Sequence, residues 1–236
     1  MSTTSFLEPG HRFAGWMAIV GSLFAWFSLY ALYAATAGDL DAVLHPATAL
    51  GSDAAAQQWF RLAMLADIFG FYLAVLIVGG YLWSSSRHEV GAMTDIAVLS
   101  LLVYVVLGIA GASMQLAALP ALSEAHAAGD TAVKIAAQSA WLAIVTSTEH
   151  GLWWAEGPVM GLWALLMGPA LRRQKRGNGI LLIVCGVLYL VSFAAEFLGL
   201  GTIAELCETL GVLLLPLWLL LTGIGLVRGR QVGVAH

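Results

Sequence analysis

Six long apolar runs constrain the fold of this chain more than any other feature of its sequence. A helix needs about 20 apolar residues to cross the hydrocarbon layer, and it satisfies its own backbone hydrogen bonds there. The chain has 236 residues, of which 60% are hydrophobic and 10% charged, so little of it is left for a soluble domain. The runs predict six transmembrane helices, at residues 13–37, 59–83, 93–119, 147–171, 179–200 and 202–227.

The predicted fold is an all-α integral membrane protein, a six-helix bundle that forms one domain over residues 1–236. A loop with several aspartates joins the first two helices. A longer loop begins at Pro120, and its later part, 131–145, is either a surface helix or an extension of the fourth helix. The fifth and sixth helices are close enough in sequence to form an antiparallel hairpin.

The distribution of basic residues predicts the orientation in the membrane. Lys and Arg accumulate in cytoplasmic loops. With six alternating spans, eight of the ten basic residues fall on one side, so both termini are expected in the cytoplasm. Those eight residues are Arg12, Arg87, Arg172, Arg173, Lys175, Arg176, Arg228 and Arg230.

Charge and cysteine content narrow the functional classes. A formal net charge of −4 gives no reason to expect a nucleic-acid partner, which needs a basic surface. Cys185 and Cys207 lie in separate apolar runs without metal-site spacing, and two buried thiols are the simplest interpretation. The first run lacks a basic segment before it, so we expect a retained helix rather than a cleaved signal peptide. The bacterial cytoplasmic membrane is the expected location.

Polar residues inside the apolar runs indicate the site. Ionisable groups in a bilayer are costly and usually have a partner or a function. In the predicted topology they come from several helices yet share the extracytoplasmic third of the bundle, with Glu156 the deepest on helix four. The candidate ligand-binding or proton-exchanging residues are Asp67, Gln115, Glu149, His150, Glu156, Glu196, Glu205 and Glu208.

Sequence spacing groups these residues further. Glu149 and Glu156 are seven residues apart, close to two turns of an α-helix, so a regular helix would place them on one face. Glu205 and Glu208 are three apart and are neighbours on a helix surface. So many carboxylates cannot all be ionised together in a low dielectric. Protonation, a bound cation or a water-filled cavity would each resolve this.

Three portions of the chain resemble a known family. They are residues 60–83, 176–199 and 206–230, with an Arg176-Gly177 start and a later Gly186-x-x-Tyr189 in the second portion. Together they resemble a broad bacterial family of six-helix membrane proteins whose label is a domain of unknown function. The resemblance implies six helices and the same orientation. It implies no activity and no site residues.

Three functions are compatible with the sequence. The first is binding or transport of a cation or small polar ligand, coupled to protons. The second is a membrane-embedded metalloenzyme acting on a lipid-like substrate, with nitrogen and oxygen ligands for a divalent metal ion. The third is a structural or accessory subunit, and in every case the lipid bilayer is a partner. The metal ligands in the second hypothesis would come from Glu149, His150, Glu156, Glu205 and Glu208.

Overall fold

The structure is a computed structural model that describes residues 8–174 and 176–228. Within these ranges it contains helices and turns and no strand, which confirms the all-α prediction. The helices are α1 (Glu8–Ala35), a 3-10 helix (Leu40–Leu44), α2 (Pro46–Leu50), α3 (Ala54–Asp67), the π-helical segment π1 (Ile68–Leu73), α4 (Ala74–Val90), α5 (Ala92–Ala128), α6 (Thr131–Ser147), the π-helical segment π2 (Thr148–Trp153), α7 (Glu156–Gln174), α8 (Arg176–Phe197) and α9 (Gly201–Val227).

Among the described residues, five helices are long and apolar enough to cross a membrane. Their spans are Gly10–Ala35, Ala54–His88, Ala92–Ala128, Gly177–Phe197 and Gly201–Val227. Large apolar side chains remain exposed along them, as expected where lipid replaces water. On α1 they recur every three or four residues and form one outward stripe, with Phe13, Trp16, Val20, Leu23 and Phe27. The chain is therefore an integral membrane protein.

The fourth predicted helix is divided into segments. α6 leads directly into π2, and a turn at Trp154 and Ala155 then precedes α7. Residues 131–145 thus extend this helical arm instead of lying apart from it. α7 carries Glu156 at its start and Arg172 near its end.

The predicted loop from Pro120 is instead helical, because α5 continues through the proline to Ala128. Pro120 lies on the exposed side of α5. The residues after it are rich in alanine, a strong helix former. Ser123 is buried, and Leu122 packs against the neighbouring core, so tertiary contacts hold the extra turns in place.

The long helices form a closed ring in chain order. α1 packs against α3, π1 and α4; these pack against α5; α5 packs against α7, α7 against α8, α8 against α9, and α9 returns to α1. Neighbours run antiparallel, as Gly15 beside Leu226 and Ser192 beside Ala204 illustrate. We call the end with Arg12, Arg87, Arg172 and Arg228 the basic end, and the opposite one, with the 36–53 loop, the acidic end. Lys175 and Arg230, used in the orientation prediction, lie outside the described residues.

Two apolar cores lie one above the other in the ring. The core towards the basic end is centred on Trp163 and Trp218, whose rings meet edge to face at 5.6 Å. The core at the acidic end is centred on Trp141, whose ring lies 6.0 Å from that of Phe60. The candidate polar residues of α3, α5 and the π2–α7 segment lie between these two cores.

Candidate carboxylate site

Two π-helical segments lie beside the acidic residues. Asp67 is the last residue of α3, immediately before π1, and Glu149 is the second residue of π2. In a π-helix each amide donates to the carbonyl five residues before it, instead of four as in an α-helix, and single π turns are frequent at functional sites. Glu156 starts α7 after π2. The seven-residue argument assumed a regular helix between Glu149 and Glu156, and the structure has an irregular one.

Asp67, Glu149 and Glu156 nevertheless lie within electrostatic range of one another. Only 5% of Glu156 is exposed. One oxygen of Glu156 (Oε1) and one of Asp67 (Oδ2) are buried without a hydrogen-bond partner. The two ion pairs found among the described residues, Arg87–Asp95 and His150–Glu196, involve none of the three carboxyl groups. The cluster thus joins buried Glu156 to partly buried Asp67 and Glu149, and neither ion pair of the described chain neutralises it.

Gln115 of α5 holds the second π segment against the cluster. The Nε2 group of Gln115, itself buried, donates to Thr148 Oγ1 at 2.6 Å and to Glu149 Oε1 at 3.2 Å. The Thr148 hydroxyl in turn donates to the carbonyl of Val145 at 2.9 Å. The amide therefore fixes the position of one carboxylate of the three.

Three tyrosines complete the site, and none of them was predicted from the sequence as a site residue. Tyr72 of π1 interacts with Glu156 through its side chain. Its ring lies 5.3 Å from that of Tyr104, which lies 6.4 Å from that of Tyr189. The Tyr104 hydroxyl donates to the carbonyl of Phe71 at 3.5 Å. Phenol groups from three helices thus surround the carboxylates, where they can donate or accept hydrogen bonds.

Two neighbouring tryptophans hold π2 between α5 and α8. Trp153 Nε1 donates to the carbonyl of Gly108 at 3.4 Å. Trp154 stacks on Phe193 of α8 at 4.2 Å and donates to its carbonyl at 3.4 Å. Trp153 therefore fixes π2 to α5, and Trp154 fixes the end of π2 to α8.

The remaining predicted residues lie at the rim of the site. His150 and Glu196 approach each other at 3.7 Å, and both are about half exposed. With Trp154 and Phe197 they line a cavity of 230 Å³. Glu208 interacts electrostatically with Glu196 and His150, and also with partly buried Glu149 and buried Glu156. Glu205 is exposed and interacts electrostatically with Glu208.

The described residues do not support the metal-binding hypothesis with a set of ligands. Within residues 8–174 and 176–228, no three His, Cys, Asp or Glu side chains are arranged to hold a metal ion. His150 is drawn to Glu196 at the rim, whereas Glu156 faces Tyr72 inside. The proposed ligands are thus spread between the rim and the centre.

The fold and the site define an all-α integral membrane protein with acidic side chains inside its bundle. No family model, no curated protein and no solved structure matches the chain. The resemblance to a six-helix bacterial family stays a hypothesis.

Proposed function

We propose that the chain crosses the membrane six times, with the basic end in the cytoplasm. The arm formed by α6, π2 and α7 would supply the fourth span, since it packs between α5 and α8 in the ring. Four basic residues at one end of the described bundle support this orientation by the positive-inside rule. The carboxylate site then lies nearer the extracytoplasmic surface, as the depth argument predicts.

We further propose that the protein binds a small cation at the carboxylate site and exchanges it for protons, which allows proton-coupled transport. The observation that carries this proposal is the pair of buried, unpartnered carboxyl oxygens on Asp67 and Glu156. An acidic group in a low dielectric needs either a proton or a cation. Since Asp67 and Glu156 come from two different arms of the ring, an occupant between them would connect both.

The surroundings suggest how such a site would work. On one side, half-exposed His150 and Glu196 and exposed Glu208 form an acidic approach from the extracytoplasmic surface. On the other side, Met160, Trp163 and Trp218 are fully buried and apolar. Cations would gather at the rim and reach the centre, and the aromatic core would have to rearrange before release to the cytoplasm.

Flux measurements in proteoliposomes test the proposal. With a pH-sensitive dye inside, an imposed Na⁺ or K⁺ gradient should move protons in wild-type vesicles. Asp67→Asn and Glu156→Gln should each lower this rate about tenfold or more, which corresponds to ~1.4 kcal/mol in the barrier. Glu124→Gln is the matched control, because Glu124 is exposed on α5 outside the site. Equal proton movement in Glu156→Gln and wild type would favour the structural-subunit hypothesis instead.

A further inference from the structure

The loop between α1 and α3 forms a folded cap over the acidic end. In this loop, α2 packs against α5 and α6, and the 3-10 helix packs against α6. Trp141 of α6 is buried, and its Nε1 group donates to the carbonyl of Val43 at 2.9 Å. At the far side of the loop, Asp53 caps α3 by accepting from the amide of Ala56 at 2.8 Å. The cap is therefore fixed at both sides.

A cavity of 390 Å³ lies under this cap. Its floor consists of buried Phe60, Leu119 and Trp141, and six alanines form much of its walls. The volume falls in the range of small-molecule pockets, which combine apolar walls with a few polar groups. None of the carboxylate-site residues lines it, so it is a separate cavity.

The rim of the cavity is polar and acidic. Thr48, Ser52 and Asp53 line it, and among the described residues of the lining Asp53 alone is charged. One carboxylate oxygen of Asp53 caps α3, which leaves the other for a ligand. Residues 13–60 contain no Lys or Arg, whereas the loop also contains Asp39 and Asp41. Such a rim attracts cations and repels anions.

We propose that the cap cavity binds a small organic ammonium ion with an apolar body. The apolar part would displace water from the alanine-lined walls and the aromatic floor. The ammonium group would lie at the rim beside Asp53, where the carboxylate can accept its hydrogen bond. This site is independent of the proposed cation exchange in the ring.

Three probes with the same aromatic body test the proposal: phenethylammonium, 2-phenylethanol and phenylacetate. Binding is measured by isothermal titration calorimetry with the protein in lipid nanodiscs, and empty nanodiscs give the background. We expect one site for phenethylammonium, weaker binding of 2-phenylethanol and no binding of phenylacetate. Asp53→Asn should weaken phenethylammonium binding roughly fivefold, the upper end for an exposed ion pair. Asparagine is also a good helix N-cap, so this variant keeps the α3 start.

Ala49→Leu narrows the cavity and should abolish measurable phenethylammonium binding. An unchanged unfolding temperature would show that this variant is still folded. Glu156→Gln should bind phenethylammonium like the wild type, which separates this site from the carboxylate site. Equal binding of phenylacetate, or unchanged affinity in Asp53→Asn or in Ala49→Leu, would overturn the proposal. Loss of binding in Glu156→Gln would overturn it too, since the probe would then occupy the central site.

Discussion

At the scale of single residues, Gln115 determines the geometry of the carboxylate site. The amide is buried on α5 and donates to Thr148 and Glu149 on the neighbouring arm. Inside a membrane, a neutral side-chain amide can donate to both a hydroxyl and a carboxylate without adding a charge. The site can therefore keep its negative character while Glu149 is held in place.

We expect Gln115→Leu to destabilise the protein by about 1–3 kcal/mol, because a buried hydroxyl and a partly buried carboxylate lose their donor while the side-chain volume is nearly kept. Thermal unfolding in detergent, followed by circular dichroism, measures the change. The double variant Gln115→Leu/Thr148→Val should lose less than the sum of the single variants, since Thr148 no longer needs the amide. If the stability losses of the two single variants simply add, the 2.6 Å hydrogen bond between Gln115 and Thr148 contributes nothing to stability.

The sequence identified the acidic residues of the site but not its tyrosines. Asp67 and Glu156 stand out because a carboxyl group in an apolar run is costly unless it has a partner or a function. Tyr72, Tyr104 and Tyr189 do not, because tyrosine is also common at membrane interfaces and in cores. Only the packing of π1, α5 and α8 shows that their rings face one another.

At the scale of elements, neither the two π segments nor the extension of α5 could be predicted from the sequence. Each π segment is a local irregularity that neighbouring helices hold in place, as Trp153 and Trp154 do for π2. Periodicity predicts a helix but assumes that its turns are regular. The extension of α5 past Pro120 likewise depends on contacts with α6 and α2 that a single run cannot show.

Glycines at helix contacts provide a test of the packing at this scale. A methyl group on Gly108 would collide with the ring of Tyr72, whereas one on Gly80 would meet nothing within 4 Å. Gly108→Ala should therefore cost about 1–3 kcal/mol through overpacking. Gly80→Ala should be neutral or stabilise by about 0.5–1 kcal/mol, since alanine favours a helix.

Thermal unfolding of the two variants in the same detergent checks the difference, and the flux assay shows whether displacement of Tyr72 also disturbs the site. Similar unfolding temperatures for Gly108→Ala and Gly80→Ala would contradict the close approach of π1 and α5.

At the scale of the whole molecule, the all-α membrane class could be predicted because helix length and apolarity decide it directly. The order of the ring could not, since six apolar runs are compatible with many arrangements. Glycines let neighbouring helices approach closely, as Gly161 does against Leu190 and Gly186 against Ala164, but their partners are known only from the structure.

The proposed orientation predicts which loops a membrane-impermeant maleimide reaches. In a background with Cys185→Ala and Cys207→Ser, Glu124→Cys should be labelled on intact cells. Arg172→Cys should be labelled only after the membrane is permeabilised, because α7 ends at the basic end. Both positions are exposed, so burial does not explain a difference. The reverse pattern would invert the topology and place the carboxylate site nearer the cytoplasm.

The closed ring also has a consequence for biosynthesis. In the described residues, the arms that pack extensively follow each other in the chain, except α1 and α9, which close the ring. Chains are made from the N-terminus onwards, so each new arm can dock on its predecessor as it inserts. The face of α1 around Gly15 and Ala18, which meets Gly223, must wait for α9. Until then the bundle is an open arc in the membrane, and α9, which is synthesised after the other arms of the ring, closes it.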